Sequence, residues 1–310
     1  MKKYLESELR GRGLYDITNI RKLRGEASTR NFFRVSFKTR SLVAMVYPED
    51  NNEEIERIAR LTRVYQDHGL NVPAIEAIIG SRIILQEDLG DLLVQTAFSR
   101  FNKGEKKKAL ERIADIVAAL GRIPVSHTAS TLDTARMKWE MDFFVSHYVP
   151  HFFPPPLDIG ELKNTLHSMV EAIGPIDTFA HRDFHSRNML YFNNDIYLVD
   201  FQDSLVAPAC YDLVSFAFDA YLDLKSLGVF FLDSLEERGM DIHEEQYFLT
   251  ALQRNIKALG TFGFQVTVRK NLSYKKYIAR TVRHILNNPV FERFFEPSMF
   301  ISMGEERKME

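Results

Sequence analysis

Up to residue 88 the apolar positions fall mainly in short β-like runs around one long amphipathic helix. Beyond it they recur mainly at the three-to-four-residue period of a helix. An amphipathic helix is predicted over residues 2–10, then strands over 18–23, 31–37 and 41–47. The polar turns 24–29 and Lys38-Thr39-Arg40 separate these strands. Asn51 or Asn52 is placed to cap a helix with Glu53, Glu54 and Glu56 in its first turns. Ile55, Ile58, Leu61, Val64 and Tyr65 lie on one face of it, and Gly69 and Pro73 end it. Two further strands are predicted over 74–79 and 81–86.

Glu87-Asp88-Leu89-Gly90-Asp91 punctuates the chain as a connector. After it, helices are predicted over 91–121, 133–149, 158–173, 209–220, 224–238, 243–263 and 273–286, with Pro154-Pro155-Pro156 as a stiff spacer. The one clear strand signal in this half is a hairpin. Residues 188–192, the turn Asn193-Asn194-Asp195 and residues 196–199 make it, after a buried segment over 175–180. The pattern therefore predicts an α+β protein in two parts: a small β-rich lobe over 1–88 and a larger helical lobe over 89–310. Ligands favour the cleft that such an arrangement makes.

Composition narrows the class. With 45% hydrophobic and 26% charged residues, the 310-residue chain has enough apolar material for one large or two modest cores. A net charge of −2 without a basic stripe argues against nucleic acid as the main partner. The single cysteine, Cys210, excludes an intrachain disulfide and reads as a small apolar filler. No apolar run approaches a membrane span and residues 1–13 lack the apolar stretch of a signal peptide, so a cytoplasmic protein without a membrane partner is expected. Oligomeric state leaves no trace in the sequence.

The candidate chemistry lies in His181-Arg182-Asp183-Phe184-His185-Ser186-Arg187-Asn188 and in Val199-Asp200-Phe201-Gln202-Asp203. Transfer of a phosphoryl group from ATP needs an aimed acceptor hydroxyl, a divalent ion to neutralise the phosphates, and both reactants held in line. Asp183 has the chemistry of the base. Asn188 and Asp200 have the hard oxygen donors that Mg²⁺ prefers, and the hairpin would return both to one edge. As loop polars capping turns, the same residues would have no such role.

These two blocks resemble the aminoglycoside phosphotransferase and choline kinase superfamily, which has a bilobal protein-kinase-like fold. Further blocks are similar to its branch of anomeric N-acetylmuramate/N-acetylglucosamine kinases. They are Gly25-Glu26-Ala27-Ser28-Thr29-Arg30-Asn31-Phe32-Phe33-Arg34-Val35, Leu85-Gln86-Glu87-Asp88-Leu89-Gly90, Tyr211-Asp212-Leu213-Val214-Ser215 and residues 252–260, with Asp200-Phe201-Gln202-Asp203 and the last of these singling out the branch. The resemblance runs from about residue 25 to 285, in order. It implies Asp183 as base, with Asn188 and Asp200 as magnesium ligands. Ser28 and Thr29 would cover the nucleotide phosphates, and the backbone of Glu87 to Leu89 would meet adenine. Asp212 would brace the catalytic loop. Ser28 and Thr29 are equally readable as a hydroxyl-rich turn, and Asp212 as a plain acid at a helix start.

One position departs from the wider fold. Kinases of this type carry a phosphate-binding lysine on the third strand, and the matching residue is Met45. The sugar-kinase branch also has an apolar residue there. Another cation must then meet the phosphates, with Arg34 first in line, then Arg24 and Arg30; a solvated cation on a strand face is the alternative for Arg34.

The resemblance implies an acceptor such as N-acetylmuramate or N-acetylglucosamine, phosphorylated at its anomeric hydroxyl for cell-wall recycling. Gln202, Asp203 and Arg254 are the candidate contacts. Arg254 points away from the apolar stripe Phe248, Leu252, Ile256 and Leu259. His181 reads as a packed loop histidine. Trp139, Phe143 and Phe144, at helical spacing, are expected in the core. Asp219, Asp223, Asp233, Glu236 and Glu237 are not a decisive excess of acid for a cationic acceptor. An aminoglycoside, choline or homoserine kinase, or a nucleotide-binding pseudokinase suggested by Met45, stays open.

Overall fold

The computed structural model describes residues 1–23, 30–153 and 157–296. Arg24, Ser28, Thr29 and the Pro154-Pro155-Pro156 spacer lie outside them. Contacts divide the chain into two compact units. One holds Met1–Arg100 together with Asn188–Gln202; the other holds Phe101–Arg187 and the residues from Asp203 on.

The first unit is built on an antiparallel sheet of β1 (Ile17–Lys22), β2 (Asn31–Phe37), β3 (Ser41–Val46), β4 (Ile75–Ile79) and β5 (Ile83–Glu87), in the order β1-β2-β3-β5-β4. Alternation gives each strand two faces. Phe33, Val35, Ala44, Val46, Ile83 and Leu85 bury one face with Leu5 and Leu9 of α1 (Lys2–Gly11). On the other, Met45, Tyr47 and Ile84 meet Ile55 and Ile58 of α2 (Asn52–Asp67). Asn51 caps α2: its side-chain oxygen accepts the Glu54 N–H at 3.3 Å, and its amide donates to Glu54 Oε2 at 3.1 Å.

The hairpin of β7 (Met189–Phe192) and β8 (Asp195–Leu198) belongs to this unit. Asn71 secures it, donating to Asp195 Oδ2 at 2.8 Å and accepting the Leu198 N–H at 2.8 Å. The Tyr191 N–H adds a bond to the Leu92 carbonyl at 2.8 Å.

The second unit is mostly helical. Its core gathers residues of α5 (Thr134–His147), α7 (Ile159–Glu171), α8 (Tyr211–Ala217), α10 (Glu244–Thr267) and α11 (Lys275–Leu286). The contact of α10 with α5 depends on two glycines. A Cβ on Gly260 would lie 2.8 Å from the Phe144 Cα, and one on Gly263 2.5 Å from the His147 carbonyl oxygen. Both clashes are with backbone, so only glycine permits this approach. The crossing fixes the height of the α10 side chains beside the loop described below.

Three expectations change. The helix expected over 91–121 is two helices, α3 (Val94–Arg100) and α4 (Lys103–Leu120). Asn102 accepts the N–H groups of Gly104 and Glu105 at 2.9 and 3.0 Å, while Glu105 accepts the Asn102 N–H at 2.7 Å. That capping box starts a new helix inside the helical pattern. Two strands of three residues, β6 (Thr178–Ala180) and β9 (Leu205–Ala207), pair antiparallel; they are too short to show alternation. Trp139 is not in the core: it is 62% exposed beside Phe143 at 5.6 Å, and Phe144 alone of the three is fully buried. The helix α6 (Val149–Phe152) precedes the spacer, and α9 (Leu227–Glu236) packs on α4. Among the described residues no helix is long and apolar enough to cross a membrane.

Candidate active site

In the helical unit the chain leaves β6 into the octapeptide, and two buried carboxylates shape the turn. Asp212, in the first turn of α8, accepts the N–H of His181 at 2.6 Å and of Arg182 at 3.1 Å. Arg182 takes a left-handed backbone, with φ at +78°, which is costly without such support. Asp219 then accepts the N–H of Ser186 at 2.8 Å and of Tyr221 at 2.7 Å. Phe184 is fully buried against Phe216, and the His181 ring lies edge-on to Phe184. Asp183 is thus held between two anchored ends. Burial pushes Asp212 up to about 7, against the pull of the two N–H groups.

Around Asp183 the charges come from α10. Lys257 Nζ lies 3.5 Å from Asp183 Oδ1 and 3.9 Å from Glu140 Oε1, and Gln253 donates to Glu140 Oε2 at 2.9 Å. Arg254 donates to Ser215 Oγ at 3.1 Å. Burial opposes charge on Asp183, but Lys257, Arg254 and Arg182 together outweigh it and hold the carboxyl far below the usual range. Burial drops His185 to about 3, so it is neutral at neutral pH. A cavity of about 100 Å³ opens here, lined by Asp183, His185, Asp219, Tyr221, Arg254 and Lys257 among others. Lys257 had no assigned role in the sequence reading; its only signal was its place one turn after Arg254.

In the β-rich unit, Met189 pairs with Leu198, so the next positions along the ladder, 188 and 199, are adjacent. The Val199 N–H donates to the Asn188 carbonyl at 3.0 Å. Asp200 follows with φ at +64° and an exposed carboxylate. Gln202, which is buried, donates to Asp200 Oδ1 at 2.8 Å. Arg30 Nη2 lies 3.2 Å from that same oxygen, and its Nη1 lies 3.4 Å from Glu54 Oε1. Asn188 and Asp200 thus leave neighbouring positions on one hairpin.

Arg34 is neither free for phosphate nor solvated. Its Nε and Nη2 donate to Asp88 at 2.6 and 2.8 Å, and its Nη1 and Nη2 to Asp91 at 2.8 Å each. These bonds raise the guanidinium further above its ordinary value. The Glu87 N–H is taken by the Ala74 carbonyl at 2.8 Å, and Leu89 is buried. Asp203, in the other unit, is exposed.

A family model described as the phosphotransferase enzyme family matches residues 19–238. The chain belongs to that family. An N-acetylmuramate/N-acetylglucosamine kinase of Pseudomonas aeruginosa is 26% identical over 202 residues, covering 64% of this chain and 59% of the relative. The chain thus matches less than two thirds of that relative's length. The kinase of the same name from Pseudomonas putida is 24% identical over 254 residues, covering 76% of this chain and 74% of the relative. Among solved structures, the ADP-bound aminoglycoside phosphotransferase APH(2'')-Ib superposes with a TM-score of 0.65 at 16% identity, over 97% of this chain and 99% of that one. The choline kinase LicA of Streptococcus pneumoniae gives 0.64 at 15% identity, over 92% and 98%. At such identities the likeness establishes the fold, the kinase-like α+β architecture expected from the sequence.

Proposed function

We propose that this phosphotransferase moves the γ-phosphoryl group of ATP to a hydroxyl of a small amino sugar, the anomeric hydroxyl of N-acetylmuramate or N-acetylglucosamine. The observation that carries the reading is the cavity at Asp183 with Arg254 and Lys257 in its wall. Cationic acceptors such as choline or an aminoglycoside need uncommitted carboxylates. Here Asp219 is engaged by backbone N–H groups and Asp183 by Lys257. Two cations and a neutral His185 suit an acceptor rich in hydroxyls, and one bearing a carboxylate still better. The names of the two Pseudomonas relatives support the same choice.

Asp183 would accept a hydrogen bond from the acceptor hydroxyl and aim its oxygen. Held well below the usual carboxylate range, it is a weak base. It would take the hydroxyl proton as the phosphoryl group is transferred. Gln202 and Asp203 remain candidate sugar contacts, with Gln202 also fixing Asp200. Ser28 and Thr29 would cover the phosphates, and the backbone of Glu87 to Leu89 would meet adenine, the Leu89 N–H more readily than that of Glu87.

Asn188 and Asp200 fit Mg²⁺. Both are hard oxygen donors on neighbouring hairpin positions, and Asp200 Oδ1 already sits against a cation, the Arg30 guanidinium. When bound, the ion would neutralise the phosphate charge that the protein must otherwise offset. Dependence on ATP would suit a cytoplasmic protein.

The test is ATP consumption with Mg²⁺ and, in turn, N-acetylmuramate, N-acetylglucosamine, an aminoglycoside, choline and homoserine. Turnover with the amino sugars alone is expected. Turnover only with a cationic acceptor would overturn the acceptor assignment. ATP binding without turnover on any hydroxyl would favour the pseudokinase that Met45 suggests.

A further inference from the structure

β3 carries no cation from Ser41 to Val46, and Met45 is buried against α2. The charge missing from that strand is present beside it. Phe32 of β2 pairs with Met45. Arg30 lies two positions before Phe32, and its guanidinium is 5.9 Å from the Phe32 ring. From there it reaches Glu54 of α2 at 3.4 Å and Asp200 at 3.2 Å. The buried Tyr47 hydroxyl lies near both Arg30 and Glu54 and donates to Met45 Sδ at 3.5 Å. Glu54 is itself fixed by Asn51, through one bond at its N–H and another at its carboxylate.

We propose that Arg30 supplies, from the end of β2, the phosphate-binding cation that β3 lacks at Met45, with Glu54 as its anchor. The assignment rests on the kinase reading above and adds the group that meets the nucleotide's terminal phosphates. The arrangement has the parts such a role needs: a cation, a helix acid to orient it, and a carboxylate intended for the metal within its reach. Arg30 is only 11% exposed, so the guanidinium is held in place rather than free to sample solvent. A planar fork also bonds phosphate oxygens in pairs, which an ammonium does not. Arg34 is excluded by its own bonding, since its Nε, Nη1 and Nη2 all donate to Asp88 and Asp91.

Arg30 is a positioning residue for the nucleotide, and its signature is selectivity among nucleotides. The full chain is titrated calorimetrically with Mg·ATP and with AMP, alongside thermal melts of the unliganded protein. Arg30→Ala should weaken Mg·ATP binding roughly 10- to 100-fold and AMP binding by less than about threefold, because AMP lacks the terminal phosphates. Arg30→Lys should keep part of the ATP preference, Glu54→Gln should lose part of it, and Arg34→Ala should keep all of it. An Arg30→Ala protein that binds Mg·ATP like the wild type, or loses ATP and AMP alike, overturns the assignment while leaving the kinase reading intact. A wild type that binds neither nucleotide overturns both. Should Arg30→Ala fail to fold, Glu54→Gln decides: a selective loss of Mg·ATP supports the role, and unchanged selectivity overturns it.

Discussion

Each unit sets carboxylates against cations, and the two arrangements are built differently. In the β-rich unit Arg30 and Arg34 reach their acids from strand β2 and the residue before it, and Asp91 and Asp200 are 67% and 48% exposed. In the helical unit Lys257 and Glu140 are 15% and 3% exposed, and the backbone of residues 181–186 is clamped by two buried carboxylates. Water and salt reach Asp91 and Asp200 in the first and, to a lesser degree, Asp183 at 33% exposure in the second, whose Glu140 is shielded. The open cluster leaves the Asp200 carboxylate able to exchange partners, as a metal ligand must, while Arg30 stays held at 11% exposure. The closed one is suited to holding a single carboxylate in a single orientation. The difference comes from the scaffold. Arg34 projects from β2, inside the sheet between β1 and β3, and it and Arg30 are held at 15% and 11% exposure against their acids. By contrast, α10 is pressed onto α5 at Gly260 and Gly263 and carries Lys257 beside Glu140 and Asp183.

That contrast breaks most sharply at Asp183. Asp183→Asn should lower kcat by roughly 10²- to 10⁴-fold with Mg·ATP affinity nearly unchanged, read by steady-state kinetics and calorimetry. Full activity in the variant would remove Asp183 from the chemistry. Lys257→Met should cost about 10- to 100-fold in kcat/KM. It also removes the largest source of the depressed Asp183 pKa. A depressed carboxylate loses its charge only as pH falls through its folded value, so losing the cation moves the acid limb of the rate profile upward. A limb that stays in place would mean that Arg254 and Arg182 hold Asp183 alone.

Asp212→Asn tests the clamp. It keeps one acceptor and sets an amide against the other N–H, and should cost about 1–3 kcal/mol in a chemical denaturation curve. An unchanged midpoint would show that the left-handed turn at Arg182 needs no carboxylate. The smallest effect is expected in the open cluster. Arg34→Ala should cost about 1–2 kcal/mol, since Asp91 is mostly in water and only Asp88 is left buried without its partner. Mg·ATP affinity should stay as in the wild type, and a selective loss of it would return Arg34 to the phosphates.

The β-rich unit was legible because its signals are local. Alternation marks β2, a short apolar run marks β3, and Asn51 with Glu53 and Glu54 marks the start of α2. The hairpin from Met189 to Leu198 was legible for the same reason, through its Asn193-Asn194 turn. That it packs with the N-terminal strands was not, because Asn71 holds Asp195 across 124 residues. The break at Asn102 was written in a capping box, yet it fell inside an unbroken helical period that concealed it. Trp139 shows the converse limit: the spacing of three aromatics on α5 does not say which of them the core takes.

The sequence by itself determined the kinds of element, the loop that carries Asp183 and Asn188 in one string, and the family, because each is written in residues close together along the chain. Only the tertiary structure decided which cation meets which carboxylate. Lys257 reaches Asp183 across 74 residues, Arg30 reaches Asp200 across 170, and Arg34 is taken by Asp88 and Asp91. A charged side chain at a given spacing has many possible partners, and packing and register select among them.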